Sequence, residues 1–491
     1  MNAGDVNSEA VYAGVDIGTQ SLRVVVVDDS GALIGRGDAP LHSVRGDQRR
    51  HVQDPQEWWQ ALGAAAAAAT EPLGARSVAG VAVCSTSGTV LLADSRGRPL
   101  TPALMYDDMR AGEQAARIRE AGHEVWQDLG YRMQPSWALP KVLWMLEHES
   151  PPRQAVLMHS ADYITARLTG RRVATDTSHA LKTGYDLLHD GWPHDALHGL
   201  GVPADLLPDV VEPGTVLGHV TKDAAEQTRL TAGARVVAGM TDGCASQIAA
   251  CALAAGSCNS VLGTTLVLKG VSAQLVRDPN GVVYSHRHPD GGWLPAGASN
   301  VGAGAIASAF PGRDLAALDA KAARYEPSSA VVYPLSATGE RFPFERADAR
   351  PFQLGQWRDE AERYAAVLQG VAFVERLGLA YFAALGIDVG GALTLTGGAS
   401  RSRYWCQLRA DVLGRTVARR AHADAALGMA ILAAADGASV TATAERMAAD
   451  AEEIDPRPDR VGRFEDAYRR LVEELARRGY LTAELVASAA G

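Results

Sequence analysis

Near the start of the chain, apolar β-branched runs alternate with short turns rich in Gly, Thr and Asp. Tyr12 to Asp16 reads as a buried strand, Gly18-Thr19-Gln20-Ser21 as a turn, and Val24 to Val27 as a second strand, together a β-hairpin. Asp28 to Gly31 is another turn. Pro55 to Thr70 predicts a helix, with Asp54 at the N-cap, Pro55 at the first helical position, and Trp58, Trp59 and Leu62 on an apolar face. Its run Ala64 to Ala69 is strongly helix-forming. Val78 to Val83 predicts a strand that ends in the polar turn Ser85-Thr86-Ser87-Gly88, with Val90 to Ala93 as its hairpin partner. Ala111 to Gly170 reads as mostly helical, with Trp137, Leu143, Trp144 and Leu146 as core candidates. Proline and glycine punctuate Gly191 to Gly218, which reads as loop-rich.

The pattern then starts again. Arg235 to Gly239 predicts a strand, Thr241-Asp242-Gly243 a turn, and Ala245 to Leu253 a helix. Ser260 to Leu262 enters the turn Gly263-Thr264-Thr265 and leaves as Leu266 to Leu268. An apolar strand, a Gly-Thr turn and another apolar strand therefore occur twice, about half a chain apart, which predicts two structurally related domains. Further on, Ala392 to Thr396 reads as a strand, Gly397-Gly398 as a tight turn, and Tyr404 to Leu413 and Leu427 to Ala435 as helices. Phe464, Tyr468, Leu471 and Leu475 stand at helical spacing and predict a packing face.

Composition narrows the classes. Of 491 residues, 47% are hydrophobic and 21% charged, which suits a folded chain of two large domains. A formal net charge of -10 argues against a broad basic surface for nucleic acid. Met1 to Ala10 is polar and does not resemble a secretory signal. Apolar stretches such as Ile248 to Ala255 are shorter than a membrane span, so no membrane partner is expected and a cytoplasmic setting is. The five cysteines show no CxxC spacing. Cys244, Cys251 and Cys258 recur every seven residues, and packing near one helix explains them better than a metal cluster does.

Four segments offer chemistry at strand ends, where open α/β sheets place their sites. In Asp16-Ile17-Gly18-Thr19-Gln20-Ser21, Gly18 permits close approach of backbone to a ligand, Thr19 and Ser21 carry hydroxyls, Asp16 suits Mg²⁺ held through water, and Arg23 adds a cation. Gly263-Thr264-Thr265 mirrors it. Each alone also reads as a plain hairpin turn; together they suit a clamp on the β- and γ-phosphates of a nucleotide. Asp242, between a strand and a helix start, suits either an N-cap or a base facing a hydroxyl. Gly397-Gly398-Ala399 gives a flat surface for a nucleotide base or ribose, although glycine pairs are common in loops. Among competing motifs there is no GxxxxGK[ST], GxSxG or HExxH. Gly302 to Ala307 resembles GxGxxA, but no clear strand precedes it. His286 and His288 flank Arg287 and read as surface or substrate-loop histidines.

Taken in order, the segments VDIGTQSLRVVVVD, STSGTVLLAD, YDDMRA, SADYITARLTG, ATDTSHALKTGYD, GMTDGCASQIAA, NSVLGTTLVLKG, GERFPF and LTGGASRSRYWCQLRADVLGR make the chain similar to the FGGY carbohydrate kinases. The resemblance runs from about Tyr12 to Ala435. It implies a two-domain actin-like (ribonuclease H-like) α/β fold with a catalytic cleft between domains. Residues 1–250 would form the sugar side with the first phosphate loop. Residues 251–491 would form the nucleotide side with a C-terminal helical segment. Asp242 matches the general base, and Asp16 the carboxylate near Mg²⁺ and the sugar. Gly18, Thr19 and Gln20, with Gly263, Thr264 and Thr265, match the two phosphate loops. Gly397, Gly398 and Ser402 lie in the segment that meets adenosine, and Gly304 in one lining the nucleotide cleft. Tyr106 stands where many members have a substrate-packing Trp.

TSGTVLLAD, TDGCASQ and LGTTLVLKG look most like a branch of ketose kinases that favours D-ribulose, in which the serine matching Ser87 contacts the sugar. The Met-His pair that xylulokinases place in the same turn is absent. Cys84 departs from the Asp-Gly seen before Thr-Ser-Gly in that branch. The expectation is thus ATP- and Mg²⁺-dependent phosphorylation of a ketopentose, D-ribulose first and D-xylulose or another polyol or ketose as the alternative, with a homodimer as the default assembly. A catalytically idle sugar sensor on the same fold is the rival from another class, and Asp16, Asp242 and both phosphate turns argue against it.

Overall fold

The expected N-terminal hairpin forms: Val11–Ile17 and Ser21–Asp28 pair antiparallel, with Asp16 opposite Arg23. This computed structural model describes residues 10–490 except 48, 123, 421, 449 and 450; the polar start at residues 1–9 lies outside the described residues. The chain divides into two units. The first contains the residues up to Cys251 together with Pro289–Gly291 and Asp424–Ala449, and the second contains the remainder.

In the first unit, Val11–Ile17 is central in a six-stranded sheet. Across that sheet the order is Val216–His219, Arg235–Val237, Val78–Ser85, Val11–Ile17, Ser21–Asp28 and Leu33–Pro40. Val78–Ser85 runs parallel to Val11–Ile17 and sets Cys84 beside Asp16. These central strands are buried along most of their length, which is why they read as near-continuous apolar runs. Helix Pro55–Thr70 forms with Asp54 as its N-cap, accepting from Gln56 N–H, and buries Trp58, Trp59 and Leu62 as expected.

Val90–Ala93 departs from expectation. It does not pair with Val78–Ser85 but joins a separate five-stranded sheet, between Ala103–Leu104 and Val156–His159. The turn Thr86–Thr89, with Gly88 at φ 93°, carries the chain out of the first sheet. The all-apolar run is buried throughout, so its pattern fixed a strand without fixing its partner.

The second unit repeats the arrangement. Its seven-stranded sheet has the order Val283–Arg287, Trp293–Ala298, Leu266–Lys269, Cys258–Leu262, Leu393–Thr396, Val417–Arg420 and Ala451–Ile454. Cys258–Leu262 pairs antiparallel with Leu266–Lys269 and parallel with Leu393–Thr396, the same relations that Val11–Ile17 has to its neighbours. Helix Glu360–Ala384 is long and apolar enough to cross a membrane, but 89% of its most apolar window is buried inside the protein, as in a core helix. It was not anticipated among the apolar stretches because Glu362, Gln369 and Glu375 interrupt it; all three are buried.

A single cut at residue 250 assigns Ala425–Ala435 to the second half of the chain, whereas the helix packs within the first unit. Gly14 lies so close to it that a β-carbon there would stand 1.8 Å from Ala426 O, and one on Gly428 would stand 1.9 Å from Ala245 O. The all-round apolar character of this helix fits such two-sided burial.

Candidate active site

Asp16 ends the first strand with neighbours on both sides. Cys84 Sγ donates to Oδ1 over 3.6 Å, and Arg23 Nη1 stands 3.9 Å from Oδ2. Burial, then the charge of Asp242, outweigh Arg23 and push the Asp16 carboxyl up to about 7, with Asp424 adding to the rise. Its side chain keeps 16% exposure, so a solvated ion can reach it. Arg23 also bonds Asp38, and Arg36 joins Asp38 to Asp424. Asp424 caps helix Ala425–Ala435 by accepting from Leu427 N–H. The sequence reading does not single out Asp424.

Asp242 opens helix Asp242–Ala249, and its Oδ1 accepts the Gly243 N–H at 2.7 Å. The expected helix is thus displaced toward the N-terminus, with Asp242 inside its first turn. A bridge between Ser85 and Thr241 brings this helix start to the strand end next to Asp16.

The turn Gly18–Ser21 closes through Gly18 N–H to Ser21 O. Gln53 Nε2 donates to Thr19 O at 2.7 Å, and the Gln20 carbonyl accepts from Leu41. Tyr106, 40% exposed, meets the Thr19 side chain. The Ser87 hydroxyl is buried and has no partner in the protein. An orphan hydroxyl is costly unless a ligand completes it.

Lys141 was not foreseen. Fully buried, it donates to Gly88 O and Met105 O, both at 2.7 Å, and so ties the turn carrying Ser87 to the loop carrying Tyr106. Burial pulls its amine down to about 7, and a neutral amine still supplies both hydrogens. Between about 7 and the ordinary value near 10.5, the unfolded chain holds a proton that the native amine has released. Lys141 therefore adds stability as pH rises through that window. We expect the melting temperature of the wild type, relative to Lys141→Met, to increase from pH 7 to pH 10; a constant difference would refute this.

In the second unit, three expected segments converge. Gly304 N–H donates to Thr264 O and Ala303 N–H to Gly263 O. A β-carbon on Gly302 would stand 2.5 Å from Thr264 O and from Thr265 Cα. Gly397, at φ 86°, would place a β-carbon 2.6 Å from Leu262 O, immediately before the Gly263 turn. Gly398 begins the short turn of helix that follows. Glycine is required at both approaches, and the result is a bare, polar backbone surface at three adjoining turns. Glu340 fixes the approach to Gly302 by accepting from Ser299 Oγ, Asn300 N–H and Tyr333 OH.

Several readings change. A strand, Trp293–Ala298, does precede Gly302–Ala307, and helix Gly304–Ala309 follows. His286 and His288 are buried rather than superficial, on or just after strand Val283–Arg287. Ser402 caps helix Arg403–Leu413 and donates to Asp319, so its hydroxyl is engaged within the protein. Cys244 lies in helix Asp242–Ala249, Cys251 just after it and Cys258 at the start of a strand, and none of the five cysteines forms a disulfide.

Among the described residues no group of three or more His, Cys, Asp and Glu side chains stands ready to hold a metal. Mg²⁺ needs no such cage, since it keeps several waters and binds one or two carboxylates plus substrate phosphates. The raised Asp16 carboxyl, pressed by two other acids, fits that use.

Paired carboxylates with a hydroxyl-lined turn in one unit, and glycine-cleared turns in a second unit of like topology, define a phosphotransferase of the actin-like class. The N-terminal domain of the FGGY family of carbohydrate kinases matches residues 11–249, and its C-terminal domain matches residues 258–436. A xylulose kinase of Klebsiella pneumoniae is 29% identical over 435 residues, covering 86% of this chain and 89% of that one. An autoinducer-2 kinase of Salmonella choleraesuis is 28% identical over 500 residues, covering 92% of each. The crystal structure of xylulose kinase from Rhodospirillum rubrum superposes with a TM-score of 0.85 at 26% identity, covering 96% of this chain and 99% of that one. This chain belongs to the FGGY family of carbohydrate kinases, with the two-domain actin-like fold. It is a sugar kinase that uses ATP.

Proposed function

We propose that the chain transfers the γ-phosphoryl group of ATP to the terminal hydroxyl of a ketopentose, with Asp242 as general base. The observation that carries this reading is the meeting of Asp242 with Asp16 at neighbouring strand ends, close enough for their charges to repel. Asp242, its orientation held by the Gly243 N–H, takes the hydroxyl proton as that oxygen bonds to the γ-phosphorus. The bond from phosphorus to the β–γ bridging oxygen breaks and ADP leaves. Gly18, Thr19 and Gln20 in one unit, and Gly263, Thr264, Thr265, Gly304, Gly397 and Gly398 in the other, are the proposed nucleotide contacts. Asp16 would hold Mg²⁺ through water, and the cation would spread charge from the phosphoryl oxygens. Cysteines without disulfides suit the cytoplasm, where ATP is at hand.

Ser87 and Tyr106 are proposed to contact the sugar. Relatives named for xylulose favour D-xylulose as acceptor. The Thr86-Ser87 turn, which lacks the Met-His pair associated with xylulokinases, favours D-ribulose as the second reading. Comparing kcat/KM for the two ketoses decides between them. In either case Ser87→Ala is expected to raise the sugar KM by about 10-fold, as for one lost buried hydrogen bond, with the ATP KM unchanged. An unaltered sugar KM would remove Ser87 from the site.

A further inference from the structure

Behind Asp242 lies a ring of polar groups that the phosphoryl-transfer mechanism leaves unused. Thr241 N–H donates to Ser178 Oγ at 2.8 Å, and Ser178 Oγ donates to Asp176 Oδ1 at 2.6 Å. His179 Nδ1 bonds Asp176 Oδ2 at 2.5 Å, and its Nε2 lies 2.9 Å from Ser85 Oγ. Ser85 and Thr241 are themselves paired as neighbours of a parallel bridge, which closes the ring. All five residues are buried, with Ser85, Ser178 and His179 wholly so.

The ring touches the reaction at two places. Thr241 immediately precedes Asp242, and its own side chain makes no capping bond to the helix that Asp242 opens. The amide bond to Ser178 is thus a long-range anchor on the start of that helix. Ser85 directly follows Cys84, which donates to Asp16. One side chain, His179, therefore joins the strand end beside Asp16 to the segment that restrains Asp242. A buried histidine paired with an acid is usually a satisfied core group, but here the acid of the pair also accepts from Ser178, whose hydroxyl holds the main chain next to Asp242.

We infer that His179, through Asp176 and Ser178, is a positioning residue that fixes Asp242 against the acceptor hydroxyl. The inference rests on Asp242 being the base. Asp176, Asp162 and Asp242 face the His179 imidazole as acids, His159 approaches with its ring centroid at 5.5 Å, and Ser85 is its neutral partner. Burial opposes the imidazolium, yet these acids hold the His179 proton above its ordinary range.

Each link has its own variant. Ser178→Ala frees the Thr241 amide without changing charge; kcat should fall between ~10- and ~100-fold, with both KM values within about twofold. His179→Gln should lower kcat similarly, again with both KM values within about twofold, because Asp176 and Ser85 lose the ring that joins them. Should His179→Gln fail to fold, Ser178→Ala and Ser85→Ala, each lacking one hydroxyl, carry the test. Active wild type with unchanged kcat in both serine variants would overturn the inference alone. Wild type without sugar-dependent turnover would overturn the reading of Asp242 and this inference with it.

Discussion

Replacing Asp242 by Asn is expected to lower kcat by ~10²- to 10⁴-fold, the usual contribution of a positioned base, while the KM for ATP stays near that of the wild type. Asparagine keeps the shape of the side chain and can still accept the Gly243 N–H, so helix Asp242–Ala249 should persist. What is lost is the acceptor for the hydroxyl proton. The substitution also removes the like charge facing Asp16, so the Asp16 carboxyl should ionise at lower pH in the variant. Steady-state kinetics with a melting curve check both points. A folded variant with near-normal kcat would remove Asp242 from catalysis.

Asp16→Asn is expected to do two things at once. Activity should fall at least ~10²-fold, because the cation that spreads phosphoryl charge is worth several kcal/mol in the transition state. The ligand-free protein should at the same time become more stable above pH 7. In the unfolded chain Asp16 ionises near ~4, but in the native protein only at about 7. Between those values the native state holds the proton more tightly. Ionisation therefore weakens the fold progressively as pH rises across the window, and the full cost is present above it. Asparagine avoids that cost, which amounts to a few kcal/mol at most by linkage. The melting temperature of Asp16→Asn should exceed that of the wild type by more at pH 8 than at pH 5. For the wild type, Mg²⁺ with nucleotide should raise the melting temperature more at pH 8 than at pH 6, since the cation needs the ionised carboxylate. A variant less stable than the wild type at pH 8 would contradict this account of Asp16.

What could be read from the sequence was what is local. The hairpin turns at Gly18 and Gly263 follow from glycine and threonine between apolar runs, and their recurrence revealed two related sheets. Asp16, Asp242 and Gly397 stand at strand ends and helix starts, positions that periodicity locates to within a few residues. Partners distant in the chain were not legible. Ser178 meets Thr241 across 63 positions, Lys141 meets Gly88 across 53, and Arg36 meets Asp424 across 388. No pattern of hydrophobic spacing encodes such pairs. The same reason explains Val90–Ala93, where the run specified a buried strand but could not say which sheet would take it, and Ala425–Ala435, whose small residues permit close packing without naming the partner. His286 and His288 read as surface or substrate-loop histidines because local spacing cannot show the distant chain that buries them.

The most direct test of the central claim is sugar-dependent ADP release from MgATP by the wild-type protein, with D-xylulose, D-ribulose, L-ribulose, ribitol and glycerol as acceptors. The account predicts strong turnover with one ketopentose, little with glycerol, and a phosphorylated sugar formed in equal amount to ADP. A folded protein that binds ATP yet releases no ADP with any of these sugars would contradict it and favour a sensor built on the same fold.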